Sequence, residues 1–72
     1  MDKQQALRKL GERLAAIRRQ KDLNLEQLSA LTGVGTGDIA ALEAGALDPT
    51  ITMLAALALG LGLSPSELLP PE

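Results

Sequence analysis

The sequence predicts an all-α fold, five short helices packed as a single domain over residues 1–72. Three observations carry that reading. Leu and Ala, the best apolar helix formers, fill 16 and 11 of the 72 positions. Apolar residues recur at steps of three and four, the spacing of one helix face. No stretch shows the apolar–polar alternation of a half-buried strand, and there is no internal repeat.

The first helix is placed at about 3–20, where Leu7, Leu10, Leu14 and Ile17 form one stripe. Asp22 follows at a position where the chain must turn left-handed, which Asp tolerates better than most residues. Asn24 can cap the second helix, with Gln27 at the spacing of a capping box, and that helix buries Leu28 and runs to about Thr32. Gly33-Val34-Gly35 breaks it. The third helix starts near Thr36, has Asp38 in its first turn, buries Ile39 and Leu42, and ends before Gly45. After a loop containing Pro49, Thr50 caps a fourth helix at about 51–60, with Leu54, Leu57 and Ala58 as core candidates. Gly60 and Gly62 let the chain turn so that Leu63 packs back. Ser64-Pro65-Ser66-Glu67 reads as an N-cap, a proline at the first helical position and a capping glutamate. The last helix is then 65–69, stopped by Pro70-Pro71.

Composition removes most chemistry. The chain has no Cys, His, Trp, Tyr or Phe. Disulfides, the common zinc ligand sets, thiol nucleophiles and histidine acid–base pairs are thereby excluded, as are aromatic platforms for unpaired bases. No metal and no cofactor is expected. Gly33-x-Gly35-x-Gly37-Asp38 lacks the last glycine and the preceding strand of a dinucleotide fingerprint, and no Lys follows Lys21 to complete a phosphate loop. Glu26, Asp38 and Glu43 have no second functional group beside them, so the chain is not read as an enzyme. The longest apolar run, Ile51–Leu63, is too short for a bilayer, which needs roughly 20 residues. The N-terminus, charged from Asp2 onward, has no apolar leader, and a cytoplasmic location is expected. A core of this size supplies only ~3–5 kcal/mol, which oligomerisation would raise.

The net charge of −2 conceals a split. All seven Lys and Arg lie in the first 21 positions against two acidic residues, net +5, while residues 22–72 carry seven acidic residues and no base. Such asymmetry marks either a basic arm for nucleic acid or the solvent face of one helix.

Leu28-Ser29-x-x-x-Gly33-Val34-x-x-x-x-Ile39-x-x-Leu42 has the spacing of a helix-turn-helix. Ser29 lets the two helices cross closely, Gly33 supplies the turn, and Val34, Ile39 and Leu42 tie the pair to one core. With Leu10-Gly11-Glu12-Arg13-Leu14, Arg18, Leu23-Asn24, Glu43-x-Gly45, Pro49, Leu54, Ala58-x-x-Leu61 and Glu67-Leu68-Leu69, the chain resembles the lambda-repressor-like, Xre-type helix-turn-helix family over about residues 10–69. The resemblance implies a compact five-helix DNA-binding domain with its third helix presented to the major groove. It also implies an ion pair from Arg18 to Glu43.

By that resemblance, Asn24, Leu25, Thr36, Gly37, Ala40, Ala41 and Ala44 occupy the DNA-reading positions. Family members usually have Gln where this chain has Leu25, and long polar side chains where it has glycine and alanine. Each missing bidentate pair removes about 1–3 kcal/mol of base discrimination. The loop that commonly offers a base to phosphate reads Ala46-Leu47-Asp48, and Glu26, Asp38 and Asp48 are expected near the same face. Phosphate contacts are expected from Arg8, Lys9, Arg19 and Lys21. Leu25, Ala30, Leu31, Ala55, Ala56 and Leu59 replace residues often charged in relatives, and the fourth helix reads as apolar on nearly every side, buried against a partner. Family dimers often use the end of the fourth helix and the fifth, here Leu59, Leu63, Pro65, Leu68 and Leu69.

Two readings of different class stand at this point. One is a transcription regulator, dimeric, that binds duplex DNA with a depleted reading surface. The other is a protein-interaction or dimerisation module on the same fold that has lost DNA binding.

Overall fold

The computed structural model describes residues 2–69. The Pro70-Pro71 stop and Glu72 lie outside the described residues. Five helices follow in order: α1 (Lys3–Gln20), α2 (Leu25–Thr32), α3 (Thr36–Glu43), α4 (Ile51–Leu61) and α5 (Pro65–Leu68).

Side-chain caps fix the starts of α1, α2 and α4. Asp2 caps α1, its carboxylate accepting the Gln5 N–H at 2.8 Å while the Gln5 side chain accepts the Asp2 N–H at 3.3 Å. The expected box at α2 forms between Asn24 and Gln27, and the Thr50 hydroxyl accepts the Met53 N–H at 3.0 Å to start α4. At α5 the expected box does not form. The Ser64 hydroxyl donates to the Glu67 carboxylate at 3.2 Å, and no side chain caps the backbone of this four-residue helix. Helix ends match the left-handed turns anticipated for Asp22 (φ 56°), Gly33 (φ 77°) and Gly45 (φ 72°).

One core joins all five helices. Leu14, Leu28, Ile39, Leu42, Leu57 and Leu68 are fully buried, with Leu10, Val34, Ala58 and Leu61 around them. Burying such side chains stabilises the fold by about 1.5–3 kcal/mol each before entropy is subtracted. Ile17, Leu54 and Leu63 are half-buried against the same cluster.

Two glycines inside helices set how closely the helices approach. A Cβ on Gly11 would overlap the Leu42 carbonyl oxygen and lie 2.7 Å from that of Glu43, so α1 and α3 meet backbone to backbone. A Cβ on Gly60 would lie 2.6 Å from Thr32 Cγ2 and 2.9 Å from the Leu31 carbonyl oxygen, where α4 crosses the end of α2. Gly60 therefore serves packing rather than the chain turn expected of it; the turn belongs to Gly62 (φ 73°).

One further expectation needs correction. Leu68, placed among the dimer-interface residues, is 1% exposed and packs inside the chain's own core. Within its own chain the fourth helix is covered on one side only. Leu57, Ala58 and Leu61 face the core, while Ile51 and Leu59 on the other side are 86% and 83% exposed. A short helix with a mean composition this apolar needs only one side for the core, and the rest is left open. No helix among the described residues is long and apolar enough to cross a membrane.

Candidate nucleic-acid interface

α2, its turn and α3 form one unit held by short-range bonds. The Thr32 hydroxyl donates to the Leu28 carbonyl at 2.8 Å and accepts the Val34 N–H at 3.2 Å, linking the last turn of α2 to the residue that enters the core. Val34 is 7% exposed, so the turn cannot swing without emptying a core position. Gly35 begins α3 without a side-chain cap. Because Ile39 and Leu42 are the buried pair of α3, the helix rotation is set, and Thr36, Gly37, Ala40 and Ala44 are exposed. Ala41 is half-buried.

Beyond α3, the unit is anchored to α1 by Arg18. Its Nε and Nη2 donate to the two Glu43 carboxylate oxygens at 2.7 and 2.9 Å, and its Nη1 donates to the Leu23 carbonyl at 2.9 Å. The two side chains are only 15% and 13% exposed. The hydrogen bond to Glu43 is the main cause that holds the Arg18 guanidinium above its ordinary pKa, against the opposing effect of burial, so the group stays cationic. One fork thus joins α1, the α1–α2 connection and the end of α3, fixing the angle at which α3 is presented.

Beside that fork lies an open cleft of about 400 Å³, lined by Arg18, Asn24, Leu25 and Glu26. It contains the start of α2, where backbone N–H groups without helical partners point outward. Leu25, expected to stand on the surface in place of a glutamine, is half-buried and packs on the core. It lines the cleft with hydrocarbon instead of an amide. Ala56 is likewise half-buried, whereas Ala30, Leu31, Ala55 and Leu59 are exposed as expected.

The acidic residues expected near this face are dispersed. Asp38 lines a groove with Gly33, Val34 and the first turns of α4. Asp48 pairs with Lys3 at 3.1 Å on an exposed surface. Glu26 alone remains at the α2 cleft. Of the expected phosphate contacts, Arg8, Lys9, Arg19 and Lys21 are all exposed and make no ion pair among the described residues. Arg13 takes a different role, its Nε donating to the Glu67 carbonyl and tying α5 to α1.

Sequence reasoning did not single out Gly11, Gly60 or Arg13 for these contacts. A glycine within a helical run was an available signal, since it weakens a helix by about 1 kcal/mol and so calls for a packing reason. Arg13, one cation among several on α1, carried none.

Comparison with known proteins agrees with this geometry. The model of a family described as a helix-turn-helix domain matches residues 11–70. An uncharacterized HTH-type transcriptional regulator of Sinorhizobium fredii, y4dJ, is 39% identical over 66 residues, covering 90% of this chain and 86% of that protein. The restriction-modification controller protein C.AhdI of Aeromonas hydrophila superposes with a TM-score of 0.83 at 32% identity, covering 86% of this chain and 94% of the controller. An HTH_3 family transcriptional regulator of Vibrio cholerae gives a TM-score of 0.88 at 28% identity; 93% of this chain is covered, but only 38% of the Vibrio chain. The clp gene regulator ClgR of Corynebacterium glutamicum gives 0.80 at 27% identity, with 88% of this chain and 67% of ClgR covered. The match over nearly the whole chain, joined to the α2–turn–α3 unit and the Arg18–Glu43 fork, places this protein in the Xre-type, lambda-repressor-like family of helix-turn-helix transcription regulators.

Proposed function

We propose that the chain is a regulator that binds duplex DNA with α3 in the major groove, held mainly by contacts to the phosphate backbone and with weak readout of bases. The observation that carries this is the separation of charge from the reading helix. Arg8, Lys9, Arg19 and Lys21 are exposed on α1 and just after it, outside the ion pairs of the described residues, whereas the outward side of α3 offers Thr36, Gly37, Ala40, Ala41 and Ala44. Asn24 and Leu25 sit at the start of α2, where backbone N–H groups suit a phosphate oxygen. If two or three of the cations of each copy reach phosphates, the log–log dependence of affinity on salt has a slope of about −2 to −3 per copy bound.

Two copies are proposed to act together. Leu59 is 83% and Leu69 48% exposed, with Pro65 exposed and Leu63 half-buried beside them, and residues 49–66 carry no charge. An uncharged face can meet its own copy without like-charge repulsion. A single domain reads about half of what a dimer reads, which matters more when each half reads weakly.

The test is a fluorescence-anisotropy titration of a labelled duplex at low salt, with mass measured by light scattering on the same sample. Binding at micromolar protein by a species of twice the chain mass is expected. A stable fold with no duplex binding at low salt would overturn the proposal and favour a protein-interaction module.

A further inference from the structure

We infer that α3 recognises the C5-methyl groups of pyrimidines, those of thymine or of 5-methylcytosine, rather than the hydrogen-bonding edges of bases. The inference rests on the DNA-binding reading above and specifies what the reading helix can discriminate.

The side of α3 turned from the core consists of Gly37, Ala40 and Ala44, bordered by Thr36 and the half-buried Ala41. These residues recur at three- and four-residue steps and form a single stripe about 10 Å long, at ~1.5 Å per residue, or about three base-pair steps. Apart from the Thr36 hydroxyl, that stripe offers no hydrogen-bonding side chain. Asp38, the one charged residue in the first turn of α3, lines the groove beside α4. A Cβ on Gly37 would meet nothing within 4 Å, so the backbone there is open to an approaching group.

Such a surface treats the four base-pair patterns unequally. Guanine, cytosine and adenine present only hydrogen-bonding groups in the major groove, and thymine adds a methyl. An acceptor or amino group covered by alanine loses its water and gains no partner. A methyl covered by alanine leaves water favourably and makes dispersion contacts. Methylation of cytosine at C5 puts the same group at the same place, so the two methyl sources share one chemistry. Because the outward stripe of α3 has no long side chains, its backbone can also come closer to the groove floor than a helix lined with Arg or Gln.

Four duplexes test this without altering the protein: alternating dA-dT, the same with dU for dT, alternating dG-dC, and the same with 5-methyl-dC. Replacing dT by dU removes the methyl and keeps every base-pair hydrogen bond. The expected result is weaker binding to the dU duplex by about fourfold for each methyl that α3 covers, and tighter binding to the methylated dG-dC duplex by a similar factor. The variant Ala40→Ser/Ala44→Ser, altered only at exposed positions, should bring both ratios towards one. Equal affinity for the dT and dU duplexes would overturn the inference and leave backbone binding intact. Ratios unchanged in the double variant would also overturn it, assigning the effect to duplex stiffness. Failure to bind any of the four would overturn the DNA reading as well.

Discussion

α1 and α3 touch backbone to backbone at Gly11, yet their outer surfaces have opposite chemistry. α1 is long, capped at its start, and carries exposed Arg8, Lys9 and Arg19. α3 has eight residues, no side-chain cap and no base. Attachment to DNA and reading of DNA can thus reside on different helices of one domain. In the proposed complex the scaffold helix would supply charge that is blind to sequence, and the presented helix shape and methyl groups.

Glycine substitutions set the two helices against each other most sharply. Gly11→Ala forces a Cβ into the Leu42 carbonyl, and α1 must separate from α3. The expected loss is about 3 kcal/mol or more, most of the stability of a domain this small, and circular dichroism with urea titration should find the variant largely unfolded. Next comes the fork between the helices. Arg18→Met leaves the Glu43 carboxylate poorly solvated and unpaired, at a cost of about 3 kcal/mol, whereas Arg18→Met with Glu43→Leu should lose markedly less. A double-mutant cycle by chemical denaturation reads both values.

Restoring polar reach to α3 sharpens the comparison from the other side. Leu25→Gln with Gly37→Gln and Ala41→Gln should raise duplex affinity, at about 1–3 kcal/mol for each bidentate hydrogen-bonded pair formed with a base, with the helical spectrum unchanged. Space at Gly37 is open, so that side chain meets no obstacle. For the same reason Gly37→Ala should stabilise the fold by about 0.5–1 kcal/mol, the opposite sign to Gly11→Ala. Smallest in its effect on folding is Leu59→Glu, within about 0.5 kcal/mol by thermal melting because the side chain is exposed. Its readout is mass, which should fall from dimer to monomer.

Most of the fold was legible because local signals agreed with one another. Asn24 with Gln27, Gly33, Thr50 and Gly62 each stand where chain chemistry demands a start or a stop, and the Leu10–Leu14 and Ile39–Leu42 spacings fix which side faces in. The bareness of α3 was legible for the same reason, since its buried pair determines which residues remain outside. Less legible was anything decided by a distant neighbour. Leu68 looked like surface until α5 was seen folded over α1, and Arg13 gave no hint that it reaches the Glu67 carbonyl. Leu25 stands at the start of α2 as expected but is half-buried rather than wholly exposed, because its burial depends on what packs beside it. The dispersal of Asp38 and Asp48 likewise depends on α4 and on Lys3.

α1 is proposed to carry the attachment to DNA. The most direct test of this is the salt dependence of duplex binding for the wild-type chain and for Arg8→Gln/Arg19→Gln. Both substituted residues are exposed and outside the ion pairs of the described residues, so folding should be unaffected. A wild-type slope of about −2 to −3 per copy bound is expected, made shallower by up to about 2 per copy in the variant, with affinity lost uniformly across unrelated duplexes. An unchanged slope in a folded variant would contradict it and place the attachment elsewhere on the domain.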